Sequence, residues 1–375
     1  MKILPAIFAM IATVTSTSAA ESAAQTEIPF YVGTYTRPPS ESKGIYRGVL
    51  NLGTGAARIT GLVAEAKNPT FLALHPDGKS LYAAIELDGG GVGAWAIEKD
   101  GSLRLLDTQS TREKGNCHVW VDASGRNVLA VSYSSGTLAS VPVEAAGTLG
   151  EPTSFIRHEG KGPNSQRQNE PHAHAIYTNG DFAYACDLGT DDIFIYKFDA
   201  AKGTLTPHNP PNAKVPPGSG PRHLAFHPKG GFAYVCNELT STVTAFAHDA
   251  AKGTLVALQT LSTLPVGAPD AGKNSTAEIF SHPNGKFLYV SNRGHDSIAI
   301  YTIGADGKLT FNEAAPAHVK NPRGFNLTPD GLWLVAGGQD SANLAIHKVD
   351  ATTGALTFTS EVTGISMPVS IEFVK

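Results

Sequence analysis

The sequence predicts an all-β fold, a seven-bladed β-propeller with four antiparallel strands per blade, and three observations lead there. One segment recurs: NPTFLALHPDGKSLYAAIE from Asn68 returns as GPRHLAFHPKGGFAYVCNE from Gly220, STAEIFSHPNGKFLYVSNR from Ser275 and NPRGFNLTPDGLWLVAGGQ from Asn321, with looser copies around Cys117 and His172. A column of second-strand residues, Tyr31, Tyr82, Leu129, Tyr184, Tyr234, Tyr289 and Val335, is spaced 46 to 55 residues apart, the length of one four-stranded blade. Many of the 39 glycines fall at turns between these strands, where short strands need tight reversals.

The elements follow in chain order. Residues 1–20 combine one cation, Lys2, an apolar stretch from Ile3 to Val14 and a small-residue end, Ser18-Ala19-Ala20. This is the pattern of an export signal cleaved after Ala20, and the apolar run is shorter than the roughly 20 residues that span a bilayer. The expectation is a periplasmic or secreted protein whose mature chain, residues 21–375, is the propeller domain and has no membrane span. Phe30-Tyr31-Val32-Gly33-Thr34 reads as a second strand with no first strand before it. In each repeat an apolar strand meets a turn carrying Gly78, Gly125, Gly180, Gly230, Gly285 or Gly331, then a strand of small and β-branched residues,. Third strands such as Ile193 to Phe198 lead into a second Gly turn, DAAKGTLT near Gly203 and DAAKGTLV near Gly253. Met367 to Phe373 reads as a first strand with nothing after it, so the last blade is closed by the N- and C-terminal strands together.

Composition narrows the function classes. Lys+Arg 29 against Asp+Glu 33 gives a formal charge of -4, without the basic excess of a nucleic-acid binder. Cys117, Cys186 and Cys236 form no CxxC, and no Cys/His pair stands at ligand spacing, so neither a disulfide framework nor a zinc site is expected. No acidic cluster has calcium spacing and no G-x-S-x-G elbow is present. No metal and no cofactor are therefore expected. His75, His227 and His282 recur at the Pro turn and are expected to cap it, while Trp120 and Trp333 read as packing between blades.

A four-stranded meander brings the start of each first strand, the end of each second strand and the blade-to-blade connections to one face. The first-strand start offers Thr70, Cys117, His172, Arg222, Ala277, Arg323 and Val369, and the next position Phe71, His118, Ala173, His223, Glu278, Gly324 and Ser370. The second-strand exit offers Tyr35, Glu86, Tyr133, Leu188, Glu238, Arg293 and Gln339. The two longest connections, Phe155 to Pro171 and Leu261 to Thr276, share this face and are placed to wall in a ligand.

YVGTYT at Tyr31, PHAHA at Pro171, GPRHLAFHP at Gly220, CNEL at Cys236, LYVSNRGHDSIA at Leu288 and NPRGFN at Asn321 are each weak alone. In register over the whole mature chain they resemble the bacterial lactonase family of the 6-phosphogluconolactonase type, seven-bladed propellers related to a fungal carboxy-muconate lactonising enzyme. The resemblance implies a small-molecule lactone as partner and a metal-independent site. Its active-site groups would be His172 or His174, Arg222, Glu238 and Arg293.

Lactone hydrolysis needs a base for water, a donor for the developing oxyanion and groups that hold the sugar. Glu238 or His172 is the expected base, and Arg222 and Arg293 the expected partners of the carbonyl oxygen or of an anionic group. Arg323 and Glu278 are expected to order the groups behind them, with His174, Glu86 and Gln339 completing the binding surface. The competing structural role for Glu238 is a pair with Arg222 that neutralises the channel mouth. Two other functions fit the same face: a muconate-type lactonising cycloisomerase, and a non-catalytic propeller that binds a sugar or a protein.

Overall fold

The computed structural model describes residues 27–86, 90–269 and 271–374; the export signal expected at residues 1–20 lies outside them. Seven four-stranded antiparallel sheets form the blades. Six run consecutively, over residues 71–110, 116–157, 173–214, 221–262, 275–316 and 322–363. The seventh joins the chain ends: Pro368–Phe373 pairs with Glu27–Thr34, followed outward by Gly44–Asn51 and Ala57–Glu65. Its register matches Phe30 with Phe373 and Val32 with Ile371. The first strands of all seven blades touch in a closed circuit, so the split blade closes the ring as expected.

Burial explains the strand composition. Second strands such as Ser80–Ile85, Asn127–Ser132 and Phe182–Asp187 are buried throughout, because a neighbouring blade covers each of their faces. Outermost strands alternate, as in Ala57–Glu65, where one face meets water. Seven apolar clusters form, one at each blade-to-blade interface. The tyrosine column sits in these interfaces: Tyr31, Tyr82 and Tyr289 donate their hydroxyls to Gly101, Gly147 and Gly354 carbonyls in the next blade. Trp120 donates across an interface to Thr178, and Trp333 to the Leu52 carbonyl.

The Pro-turn histidines are latches between blades. His75, His227 and His282 each place Nε2 2.9 Å from the carbonyl of Gly125, Gly285 or Gly331 in the following blade. The Nδ1 atoms of His227 and His282 accept from the backbone N–H two residues on, which fixes their Nε2–H tautomer, whereas His75 Nδ1 also lies 2.6 Å from the Asp77 carboxylate,. The receiving glycines have φ of 72 to 74°, and an added Cβ would come within 2.4 to 2.8 Å of the imidazole. Both the left-handed backbone and the close approach of the ring require glycine here.

Candidate active site

The opposite face of the ring opens into a cavity of about 1170 Å³, lined by residues from all seven blades. What aims side chains into it is a repeated irregularity. In six blades the pairing of first and second strands skips at the first-strand start, passing over Cys117, His174, Arg222, the Ala277–Glu278 pair, Arg323 and Val369. Such bulges re-aim a side chain out of the ladder. All of these residues except Ala277 line the cavity.

The bulges correct one assignment. His172 was expected at the strand start beside Arg222, but the skipped residue in that blade is His174. His174 lines the cavity and His172 does not. The His172 ring stacks on Tyr133 at 4.5 Å and its Nδ1 meets the Tyr133 carbonyl. Gln339 is likewise outside the cavity lining and donates to Asp340. Arg222, Glu238, Arg293, His174, Glu278, Arg323 and Glu86 all come together there. Glu86, at the rim, accepts a short hydrogen bond from Asn68.

Glu238 is the centre of a guanidinium cluster. Its Oε2 lies 3.1 Å from Arg222 Nε and 2.9 Å from Arg293 Nη2, and its Oε1 lies 2.7 Å from Arg167 Nη2. Burial alone would raise its pKa, yet Arg293, Arg222 and Arg167 overcome that and hold it at about 2,. A carboxylate so stabilised is a poor proton acceptor, so the expected base role does not fit it. The pairing with Arg222 is the structural role that had been its alternative.

Glu278 has the opposite setting. It lies on the wall of the cavity but is itself buried, and burial pushes its pKa up to about 8 against the partial opposition of Arg222, the Ile279 N–H and Arg323. His223 Nε2 faces Arg222 Nη1, a donor only, at 3.2 Å; Nε2 must accept, so Nδ1 carries the hydrogen and donates to Glu278 Oε1 at 2.7 Å,. Oε1 also accepts from the Ile279 N–H. Oε2 has no partner among the described residues. Sequence reasoning had set Glu278 behind the site; its burial, which the sequence does not display, makes it the carboxyl best matched to proton transfer near neutral pH.

The remaining charges divide in two. Arg323 has no carboxylate and no hydrogen-bond acceptor among the described residues, only the Tyr35 ring at 5.6 Å. Lys67 and Lys114 at the rim, which sequence reasoning missed, have no side-chain partner there either. The cavity wall carries seven Arg and Lys against three Glu, in a chain of formal charge -4. His118 and His174 each meet His223 edge to face, and burial together with Arg222 keeps the pKa of all three well below the usual imidazole value. All three are neutral at pH 7. The cavity is therefore a cationic bowl with a carboxyl poised to exchange a proton.

Residues 29–373 match the family described as lactonase, 7-bladed beta-propeller. The chain belongs to this lactonase family. It is 37% identical to a 6-phosphogluconolactonase of Bacillus subtilis, over 92% of this chain and 97% of that one. It is 31% identical to a 6-phosphogluconolactonase of Formosa agariphila, over 87% and 94%. Among solved structures it superposes on a putative 6-phosphogluconolactonase from Bacteroides fragilis with a TM-score of 0.86 at 34% identity, covering 96% of this chain and 100% of that one. A periplasmic gluconolactonase from Pseudomonas aeruginosa also gives 0.86, at 28% identity, over 93% and 99%. Lactone hydrolysis is thus the chemistry of this lactonase, and no helix among its described residues is long and apolar enough to cross a membrane.

Proposed function

We propose that this lactonase hydrolyses a sugar-acid lactone, with Glu278 as the base that activates water and Arg323 as the principal donor to the oxyanion. The observation that supports it best is the juxtaposition of a buried carboxyl, whose Oε2 is uncommitted, with a guanidinium that lacks an anion. Ionised Glu278 takes a proton from water through Oε2, and the hydroxide adds to the lactone carbonyl carbon. The carbonyl oxygen becomes an oxyanion facing Arg323, with Arg222 behind it. Collapse expels the ring oxygen, which takes the proton back from Glu278, leaving the free hydroxy acid. His223 holds Glu278 in place throughout, and Arg222 holds His223 in the tautomer that can do so.

Relatives named for 6-phosphogluconolactone and for gluconolactone support the sugar-acid class, and the cationic bowl suits a substrate that is, or becomes, an anion. The test is proton release from purified residues 21–375 with glucono-δ-lactone and with 6-phosphogluconolactone. Turnover well above the spontaneous rate on at least one is expected; the spontaneous rate on both would end the proposal. The export signal read in residues 1–20 and the likeness to a periplasmic relative support action outside the cytoplasm. Mass spectrometry of the exported protein should find Glu21 at its amino terminus.

A further inference from the structure

The long connection between the second and third blades, residues 158–171, has no helix or strand, yet buried polar groups tie it down. The Gln168 side chain is fully buried; its Nε2 donates to the Leu188 carbonyl and to Asp191 Oδ1, both at 2.8 Å, and its Oε1 accepts from the Asn164 N–H. At one end of the segment His158 Nδ1 meets Asp187 Oδ2 at 2.7 Å, both side chains buried. At the other, the His172 N–H donates to Asp187 Oδ1. A structureless loop with this many buried hydrogen bonds is a rigid strap rather than a loose cover.

The residue before Gln168 is Arg167, and the strap delivers it to the cavity wall. Its Nη2 donates to Tyr133 Oη at 3.0 Å and to Glu238 Oε1 at 2.7 Å, bridging the second and fourth blades above the third. Its Nε and Nη1 hydrogens have no protein acceptor among the described residues, and the side chain is 43% exposed. Glu238 does not need this contact to be neutralised, because Arg222 and Arg293 already lie on its other oxygen. Arg167 is therefore anchored through Nη2 while its Nε–H and Nη1–H groups stay open, a fixed positive charge with free donors of the kind that holds a carboxylate or phosphate oxygen,.

We propose that Arg167 is the specificity-determining residue of the site, binding a carboxylate or phosphate group carried by the lactone away from its reacting carbonyl. This rests on the lactonase reading but adds what that reading leaves open, which substrates are preferred. Nothing in the chemical step uses Arg167, so its contribution is to binding.

The experiment compares wild type, Arg167→Met and Arg167→Lys on three lactones: neutral glucono-δ-lactone, the carboxylate-bearing glucaro-1,4-lactone and 6-phosphogluconolactone. Arg167→Met is expected to raise KM about tenfold or more for the anionic lactone that wild type prefers. kcat should change less than threefold, and KM for glucono-δ-lactone less than threefold. Arg167→Lys should recover part of the loss, and whichever anionic lactone suffers more identifies the group bound. Equal losses on neutral and charged lactones, or no loss on either, would overturn the proposal. Calorimetric titration with 6-phosphogluconate and with glucarate separates this from failure of the lactonase reading, since it needs no turnover. Weaker binding of one of these acids to Arg167→Met than to wild type supports the proposal even in a protein that hydrolyses nothing; equal Kd values for both overturn it. Should Arg167→Met fail to fold, as judged by its melting curve, Arg167→Lys takes its place in every comparison.

Discussion

The two faces of the ring use the same residue type for opposite ends. On the turn face, His227 and His282 each satisfy both ring nitrogens with backbone groups, one in their own turn and one in the next blade, and His75 joins the same next-blade contact to the Asp77 carboxylate of its own turn. On the cavity face, buried His118 leaves Nε2 and buried His174 leaves Nδ1 without a partner among the described residues, and His223 is committed to Glu278 and Arg222. A buried polar atom with no partner costs on the order of 1–3 kcal/mol. The turn-face histidines are settled in favour of stability, and those of the cavity face leave some of that stability unrealised where a ligand can use it.

The strongest way to break this contrast is at Glu278. Glu278→Gln keeps the shape but loses the base, so kcat should fall by about 10²–10⁴. Its stability should move the other way. Because the folded pKa is raised to about 8, the folded state binds this proton more tightly, and that stability is lost as pH rises from about 4.5 through 8. The melting temperature of Glu278→Gln at pH 8 should therefore not fall below that of wild type. In wild type, kcat/KM should climb as pH rises through about 8, and a flat profile would remove Glu278 from the base role.

Next comes Glu238→Gln, which leaves Arg222 and Arg293 buried without their anion. The cost should be about 3–5 kcal/mol in chemical denaturation at pH 7. Since the folded pKa is held at about 2, the stabilisation is present above about 4.5 and disappears as pH falls towards 2. Wild type and variant should therefore converge in acid.

The smallest effects belong to the turn face. His282→Ala removes a buried latch and should cost about 1–3 kcal/mol, and His227→Ala, at a half-buried latch, less. Neither should alter kcat or KM. A change in activity from either would mean that the two faces are coupled and the contrast is not a division of labour.

The fold was legible because a repeat states each blade several times over. The second-strand tyrosines and the Gly turns fix blade length, and the lone strands at the two ends leave only one way to close the ring. The site was half legible. Arg222, Glu238 and Arg293 stand in the repeat where the chain enters or leaves a blade, and the structure brings them together. The choice between His172 and His174 was not legible in the sequence, because strand alternation of period two gives both the same direction and a bulge decides which one faces the cavity,. Glu278 was placed but its role was missed, since a pKa near 8 comes from burial contributed by other blades. Arg167 lies in a stretch with no repeat and no periodicity. The only signal there was the length of the connection itself.

The closing blade has a consequence for how this protein comes into being. Its inner strand, Pro368–Phe373, is made after every other described strand, and its partner, Glu27–Thr34, is the first of them. Until Pro368–Phe373 has been made, the strand Glu27–Thr34 has an unpaired edge and the ring has a gap. Because the bowl draws residues from every blade, activity should arrive in one step with the final strand, not grow blade by blade. A circular permutant opened between two other blades would carry that moment of completion to a new place in the chain.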